Sequence, residues 1–290
     1  MYRMTREEIK AYLNRIGIKE VQPPTKEYLF ALHQAHVNAL SWQTVDIFAG
    51  KPAAIGFEQS VRLVLNDKSG YCFHLNGAFS SLLHSLGYKV HLHRAGVQPL
   101  GEQPRVNSFH LSLSVDLVNE AEAEEQWIVD VGLGDMPYEP IPLRYGMYEQ
   151  GPLSYKVVQS GVVPQGWRLV HDPLANFAGV DIDAAVLESL EEFMPKHEFY
   201  SRSPESPWAR IFLVRQRNAS QSNELRGCIW SKRDKNGLAK VEVASKSEWL
   251  ELLNDVFGER LAGYSALEKD DLWKRVEAAH VEWKATRALS

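Results

Sequence analysis

Cys72, His110 and Asp130 are the side chains whose types and spacing can do chemistry together. Cys72 lies in Ser69-Gly70-Tyr71-Cys72-Phe73-His74-Leu75-Asn76-Gly77, where a glycine-marked break leads into an apolar helical repeat of Leu75, Phe79, Leu82, Leu83 and Leu86 that Gly87 stops. This spacing predicts Cys72 in the first turn of a helix. Unpaired backbone N–H groups and the positive end of the helix dipole favour an anion there, so the thiol pKa is expected to fall from its free value of about 8.5. The competing reading is a small buried hydrophobe, since free cysteine is among the most buried residue types.

From Phe109 to Leu117 the sequence alternates, with Phe109, Leu111, Leu113, Val115 and Leu117 on one face of a strand and His110, Ser112, Ser114 and Asp116 on the other. His110 opens the polar face. Asp130 interrupts Ile128-Val129-Asp130-Val131 just before Gly132-Leu133-Gly134, and an ionised carboxylate in an apolar strand is costly unless it is paired or hydrogen-bonded. Orienting an imidazole would meet that need. The acid run from Glu120 to Glu125 reads as a solvated turn, so the two strands can pair as a hairpin and bring Asp130 and His110 to one surface, with the register left open. Together the three residues have the types of a triad in which Cys72 attacks, His110 takes its proton and Asp130 fixes the imidazole. On these grounds alone the chemistry is thiol-based acyl transfer or hydrolysis, with no substrate named.

The elements that must position these groups change character along the chain. Up to residue 87 the pattern is helical: Thr5 with Glu8 forms a capping box, and Thr25 precedes a second periodic run. From Tyr88 the period shortens to that of strands, at 88–93, 109–117, 126–131, 155–159 and 167–170, with Gly and Pro between them as in a sandwich or barrel. After a change near 183–200, strand-like 209–214 and 227–230 are followed by helices at 247–253 and 267–283. The expected organisation is α+β: a helical bundle over 1–87 with the nucleophile, a β-barrel over 88–190 with His110 and Asp130, and an α/β lid over 191–290.

The 290 residues carry 44% hydrophobic side chains and a formal net charge of −5, which suits packed cores and offers no basic stripe for nucleic acid. Two distant cysteines make no disulfide framework, and neither a signal core nor a transmembrane run is evident, so a reducing cytoplasm is expected. His91 and His93 share a strand face, but no carboxylate or second cysteine completes a usual zinc spacing, and a metal-bound Cys72 is no free nucleophile. No metal is expected. Cys228, beside Ile229 and Trp230, reads as a core residue.

The ordered motifs resemble the arylamine N-acetyltransferase family: Gly70, Cys72, Phe73 and Asn76 at the nucleophile, His110 about forty residues on, and Val129-Asp130-Val131-Gly132-Leu133-Gly134 followed by Pro137, Pro140 and Pro142. Tyr12-Leu13-Asn14-Arg15-Ile16-Gly17 and the 199–208 segment extend the likeness over most of the chain. The resemblance implies a cysteine-protease-like core between bundle, barrel and lid, and a cytoplasmic enzyme with acetyl-CoA as co-substrate. It further implies ping-pong transfer through an acetyl-cysteine to an arylamine, arylhydrazine or arylhydroxylamine. It also implies substrate or cofactor contacts for Phe73, Phe109, Gly132, Leu133, Gly134 and Phe199, and offers Arg202, Arg210 and Lys232 near the coenzyme A phosphates. Two alternatives stay open: an amide synthase acting on a carrier-bound acyl thioester, and a weakened member that only binds ligand.

Departures from the family pattern fall close to the nucleophile. His74 stands where the family has glutamate, Lys68 where it has arginine, Ser69 where it has glycine, and Ser41-Trp42-Gln43-Thr44 replaces Pro-Phe-Glu-Asn. The implied Arg–Glu pair thus becomes Lys68 and Gln43, at best a simple hydrogen bond. Leu133 in place of an aromatic predicts weaker stacking on an aryl ring.

Overall fold

The structure, a computed structural model, describes residues 1–118 and 123–288. Five helices and one short strand come first: α1 (Arg6–Arg15), α2 (Lys26–Ala39), β1 (Trp42–Gln43), α3 (Val45–Phe48), α4 (Phe57–Leu65) and α5 (Cys72–Ser85). The capping box at Thr5 forms as its sequence requires: Thr5 Oγ1 accepts the Glu8 N–H at 3.2 Å, and Glu8 Oε2 accepts the Thr5 N–H at 2.8 Å. Thr25 caps α2 by accepting the Tyr28 N–H at 3.2 Å. At the far end of α5, Gly87 adopts φ +96°, the left-handed conformation that ends a helix without a Cβ clash.

Strands β2 (Lys89–Pro99), β3 (His110–Val118), β4 (Glu124–Ile128), β5 (Ile141–Pro142), β6 (Gly146–Gln150), β7 (Leu153–Gln159), β8 (Trp167–His171) and β9 (Phe177–Leu187) follow. They make one antiparallel, barrel-like sheet in the order β5-β4-β3-β2-β9-β8-β7-β6. β2 is its spine, pairing with β3 through Leu92↔Leu113 and with β9 through Leu92↔Leu187. The alternation expected for β3 is present in its chemistry but not in its burial, because His110, Ser112 and Ser114 on the polar face are all buried. Cross-strand partners take up part of that face: His93 Nε2 lies 2.8 Å from Ser114 Oγ, and His93 Nδ1 donates to Asp183 O at 3.0 Å, while Ser112 Oγ has no partner among the described residues. His91 is taken up by Asp116 at 2.8 Å.

Beyond β9 come α6 (Met194–Arg202), β10 (Leu213–Arg217), β11 (Ser222–Arg226), β12 (Ile229–Asp234), β13 (Gly237–Glu242), α7 (Lys246–Asp255) and α8 (Ala266–Ala288). The second sheet runs β1-β10-β11-β12-β13, so its first strand comes from within the helical region. Two expected strands shift. The strand expected over 209–214 begins only at Leu213, because Ala209 closes a 3-10 turn that starts at Pro207 and that Ser206 Oγ caps by accepting the Trp208 N–H. The strand expected to run through residue 131 stops at Ile128. Of the acid run, residues 120–122 lie outside the described residues, while Glu124 and Glu125 open β4.

The cores do not follow the same divisions as the elements. One apolar cluster runs from Tyr12, Leu29 and Phe79 of the helices to Val115, Tyr155 and Val180 of the barrel-like sheet, while a second gathers Phe212, Val214, Cys228, Trp249 and Trp273 around the last two helices. Cys228 is buried there as a core side chain. Among the described residues no helix is long and apolar enough to cross a membrane.

Two threonines at helix starts differ in a testable way. Thr25 makes its cap bond, whereas Thr44, at the start of α3, makes none and its buried Oγ1 has no partner among the described residues. Thr25→Ala is expected to cost about 1 kcal/mol in urea denaturation. Thr44→Val is expected to be neutral or stabilising, because it removes an unsatisfied buried hydroxyl.

Candidate active site

Cys72 is the first residue of α5, after an extended N-cap at Tyr71 that provides no side-chain cap. The turn before it is fixed from outside. β1 bonds to β10 on one edge through Trp42↔Arg215, and on the other Gln43 N donates to Gly70 O at 2.9 Å and Gln43 Nε2 to Ser69 O at 3.1 Å. The Gln43 side chain thus holds the backbone that leads into Cys72. It also accepts the Val45 N–H and starts α3.

Lys68 and Gln43 do not share the hydrogen bond that was expected of them. Lys68 Nζ lies 3.4 Å from Asp46 Oδ2 and 5.6 Å from the Tyr264 ring, and Tyr264 O–H donates to Asp46 Oδ1. The lysine has therefore been drawn into a separate pair linking α3 to the segment before α8. His74 is buried with neither ring nitrogen hydrogen-bonded among the described residues, and burial lowers its pKa to about 4. Where the family places a charge, this chain places a neutral imidazole, edge-on to Tyr71 at 4.9 Å between ring centres.

Asp130 lies just past the end of β4. Continuing the β3–β4 register two residues beyond Ser114↔Ile128 sets it opposite Ser112, which makes His110 its diagonal neighbour on the same face. His110 Nε2 stands 2.7 Å from Asp130 Oδ2, and both side chains are almost fully buried. The other carboxylate oxygen accepts Asn76 Nδ2 at 2.8 Å and the Gly132 N–H at 2.9 Å. Asn76 also donates to Leu111 O at 2.6 Å and accepts the Val131 N–H at 3.0 Å. These side-chain bonds replace the ladder, which is why β4 ends before the sequence pattern does. Burial works to raise the Asp130 carboxyl, but the His110 imidazole and the hydrogen bonds from His110, Asn76 and Gly132 outweigh it and hold the pKa below its ordinary value.

Cys72 and His110 line one cavity of about 270 Å³. The thiol donates to Phe109 O at 3.7 Å, one residue from His110. Its pKa moves opposite to the expected fall: burial pushes the thiol up, the Asp130 charge adds to the rise, and hydrogen bonds from the backbone at Leu111, Phe73 and Cys72 itself only partly oppose it. The helix terminus does aim donors at the sulfur, but desolvation is the larger effect.

Of the residues expected to touch substrate, Phe109, Gly132 and Leu133 line this cavity. Phe73 does not: it is fully buried behind the site against Phe193 and Tyr71. Gly134 sits beside the cavity at φ +80°, with a Cβ there meeting the Arg215 side chain at 2.5 Å. Phe199 is 40% exposed and away from the cavity; its neighbour Tyr200 packs on Phe109 at 4.1 Å. Arg202 pairs with Glu198 and Lys232 with Asp234, while Arg210 lines a neighbouring cavity of about 630 Å³. Residue patterns gave no role to Trp42, Asn176, Phe177, Arg215 or Arg226, which also line the Cys72 cavity. They come from four separate segments, and no spacing connects them to Cys72. Asn76 was visible as part of a motif, but its work on both sides of Asp130 was not.

The N-acetyltransferase family model matches residues 25–265. An arylamine N-acetyltransferase / N-hydroxyarylamine O-acetyltransferase of Salmonella typhimurium is 31% identical over 161 residues, 53% of this chain and 54% of that protein. An arylamine N-acetyltransferase of Mycobacterium bovis is 29% identical over 144 residues, 48% of this chain and 50% of that protein. The aligned chain spans about half the length of these curated relatives. Among solved structures, the arylamine N-acetyltransferase of Mycobacterium marinum superposes with a TM-score of 0.81 at 23% identity, over 93% of this chain and 99% of that one. Its complex with CoA gives 0.79 at 22% identity, again over 93% and 99%. At that identity the likeness establishes the fold.

Two outcomes test this geometry. A Cβ on Gly132 would stand 2.6 Å from Asn76 Nδ2 and 3.0 Å from Cys72 Cα, so Gly132→Ala is expected to cost about 1–3 kcal/mol in chemical denaturation. Because the Asp130 pKa is depressed in the folded state, its contribution to stability is present above the unfolded carboxylate value of about 3.9 and is lost as the pH falls through the folded value. Asp130→Asn should therefore be less stable than the parent near neutral pH, and the gap should narrow on acidification below about pH 4 in denaturation curves.

Proposed function

Because the chain belongs to the arylamine N-acetyltransferase family, we propose that it transfers an acetyl group from acetyl-CoA to an arylamine, arylhydrazine or arylhydroxylamine through an acetyl-cysteine at Cys72. The observation that carries the reading is His110, hydrogen-bonded to Asp130, lining the same cavity as a thiol at a helix start. With Nε2 held by Asp130, the other ring nitrogen of His110 is left to exchange a proton with Cys72. Burial makes a lone thiolate unfavourable, so the reactive form is the thiolate–imidazolium pair, with the Asp130 carboxylate stabilising the imidazolium.

In the first half-reaction the thiolate of Cys72 attacks the acetyl carbonyl, the tetrahedral adduct collapses, and the coenzyme A thiol leaves with the proton from His110. In the second, the amine nitrogen attacks the acetyl-cysteine, His110 takes a proton from that nitrogen, and the proton returns to the Cys72 sulfur as the amide departs. The exchange of one thioester for another is close to isoenergetic and the step to an amide is downhill. The site's work is therefore to activate the thiol and to position the amine. Phe109 and Trp208 supply ring faces for an aryl acceptor, and Leu133 offers an aliphatic surface in place of a further ring.

Brief exposure to acetyl-CoA followed by intact-mass spectrometry should add one acetyl group to the parent protein and none to Cys72→Ala; an unmodified parent would overturn the reading. The ion pair predicts a second result. Alkylation of Cys72 by iodoacetamide should proceed at neutral pH in the parent, whereas in His110→Gln it should become slow there and rise only at alkaline pH, above the range of a free cysteine.

A further inference from the structure

Ser108 precedes Phe109 and His110, which line the Cys72 cavity, and its backbone stands at φ +58°. A residue with a Cβ is strained in that left-handed region, so contacts outside the turn must hold it there. Asn107 Oδ1 accepts the Phe109 N–H at 3.3 Å across the turn, and the buried Ser108 hydroxyl donates to Glu192 Oε1. The same Glu192 oxygen lies 3.7 Å from Arg94 Nη1, and Arg94 Nη2 donates to Asp183 Oδ2 at 2.6 Å. That last contact depends on a bulge in the sheet: His93 pairs with Val186 and Ala95 with Ile182, so Asp183, Ala184 and Ala185 stand opposite Arg94 alone. Glu192 itself sits in a 3-10 turn, Glu191–Phe193, whose fully buried Phe193 has its ring 5.1 Å from that of Phe73, the residue after Cys72. The entry to β3 is thereby tied to the start of α5 by a route that does not pass through Asp130.

We propose, resting on the acetyl-transfer reading, that Ser108 is a positioning residue for the chemistry of Cys72. Its hydrogen bond to Glu192, backed by Arg94, fixes the entry to β3 so that the Phe109 carbonyl and the His110 imidazole keep their places relative to Cys72. The two groups act on the sulfur in opposite senses. The Phe109 carbonyl accepts the S–H at 3.7 Å, which favours the thiol, and its oxygen repels a thiolate. The imidazole takes the proton and stabilises the thiolate as an ion pair. A small shift of the turn that carries both therefore changes which form of Cys72 is favoured. Glycine would adopt the left-handed turn without strain, but it has no hydroxyl to tie the turn to Glu192. Serine keeps the strain and makes the tie.

Four variants of the full chain test this: Ser108→Ala, Ser108→Gly, Glu192→Ala and Glu192→Gln. The measurement is the rate of iodoacetamide alkylation at Cys72 against pH, followed by peptide mass, with urea denaturation alongside. Ser108→Ala keeps the strain and loses the tie, and Glu192→Ala removes the acceptor. Each is expected to slow alkylation at neutral pH by at least about tenfold and to move the pH profile toward alkaline values. Glu192→Gln still offers an amide oxygen to the hydroxyl and is expected to stay within about threefold of the parent. Ser108→Gly should fall between, because its turn needs no holding but is no longer held. An unchanged profile in Ser108→Ala overturns the proposal even where its urea midpoint falls, since a purely structural role lowers stability and leaves the profile in place. So does a loss in Glu192→Gln as large as that in Glu192→Ala, since the effect would then belong to the Arg94 ion pair and not to the hydroxyl. If Ser108→Ala does not fold, the Glu192 pair decides by the same measurement. Alkylation needs no acyl donor, so these shifts in a protein that takes up no acetyl group would leave Ser108 in this role and instead remove the reaction assigned to Cys72.

Discussion

A buried carboxylate must be answered on all sides, and the arrangement around Asp130 follows from that requirement. His110 Nε2, Asn76 Nδ2 and the Gly132 N–H converge on it at 2.7–2.9 Å from three parts of the chain: β3, α5 and the loop after β4. Asn76 sits one turn after Cys72 on the same helix, so satisfying Asp130 also fixes α5 against the sheet. Gly132 is small where it meets the first turn of that helix, with no room for a Cβ between Asn76 and Cys72. The helix that opens with Cys72, the His110 imidazole and the Asp130 carboxylate are thus held by the same few hydrogen bonds. Removing any one partner would leave the buried carboxylate with one hydrogen bond fewer and no water to replace it, which costs more than the bond itself contributes.

The loop that carries Asp130 is anchored at its other end by equally buried groups. The Asp135 carboxylate accepts the Asn176 N–H at 2.7 Å and the Ser222 hydroxyl, Tyr155 O–H donates to Met136 O at 3.0 Å, and the fully buried Arg217 donates to Met136 O at 3.0 Å. From α2, His33 Nδ1 donates to Tyr138 O at 3.1 Å. Residues 130–138 therefore bind to the helices, the barrel-like sheet and the second sheet at once. A loop so held can present Gly132 and Leu133 to the cavity without being part of a strand ladder itself.

The residues around the turn before Cys72 follow the same electrostatic logic. Gln43 and His74 are both neutral, and Lys68 has moved to Asp46, so the backbone before Cys72 is supported by uncharged hydrogen bonds and ring packing. What remains beside the site is the hydrogen-bonded pair of His110 and Asp130, whose carboxylate charge acts on the thiol. The acetyl-transfer reading of this site draws its activation from that pair, because the helix start alone does not overcome the burial of the thiol.

Local chemistry made much of this legible from residues. The capping box at Thr5, the cap at Thr25, the glycine that ends α5 and the alternation of β3 depend on near neighbours in the chain, and each appears where its residues dictate. Cys72, His110 and Asp130 were recognisable because each is an exception to its local pattern: a thiol at a helix start, a histidine opening a polar strand face, an acid in an apolar run. What the sequence did not determine depends on desolvation and on contacts between distant segments. The direction of the thiol pKa is set by burial that no window of residues records. The early end of β4 is set by Asn76, 55 residues before the Val131 N–H that it takes. The pairing of β1 with β10, the separate partners of Lys68 and Gln43, and the meeting of Arg226 with Cys72 at one cavity exist only once the chain has closed on itself. Hydrogen bonds within a turn are written in sequence spacing, whereas burial and long-range charge are properties of the packed whole.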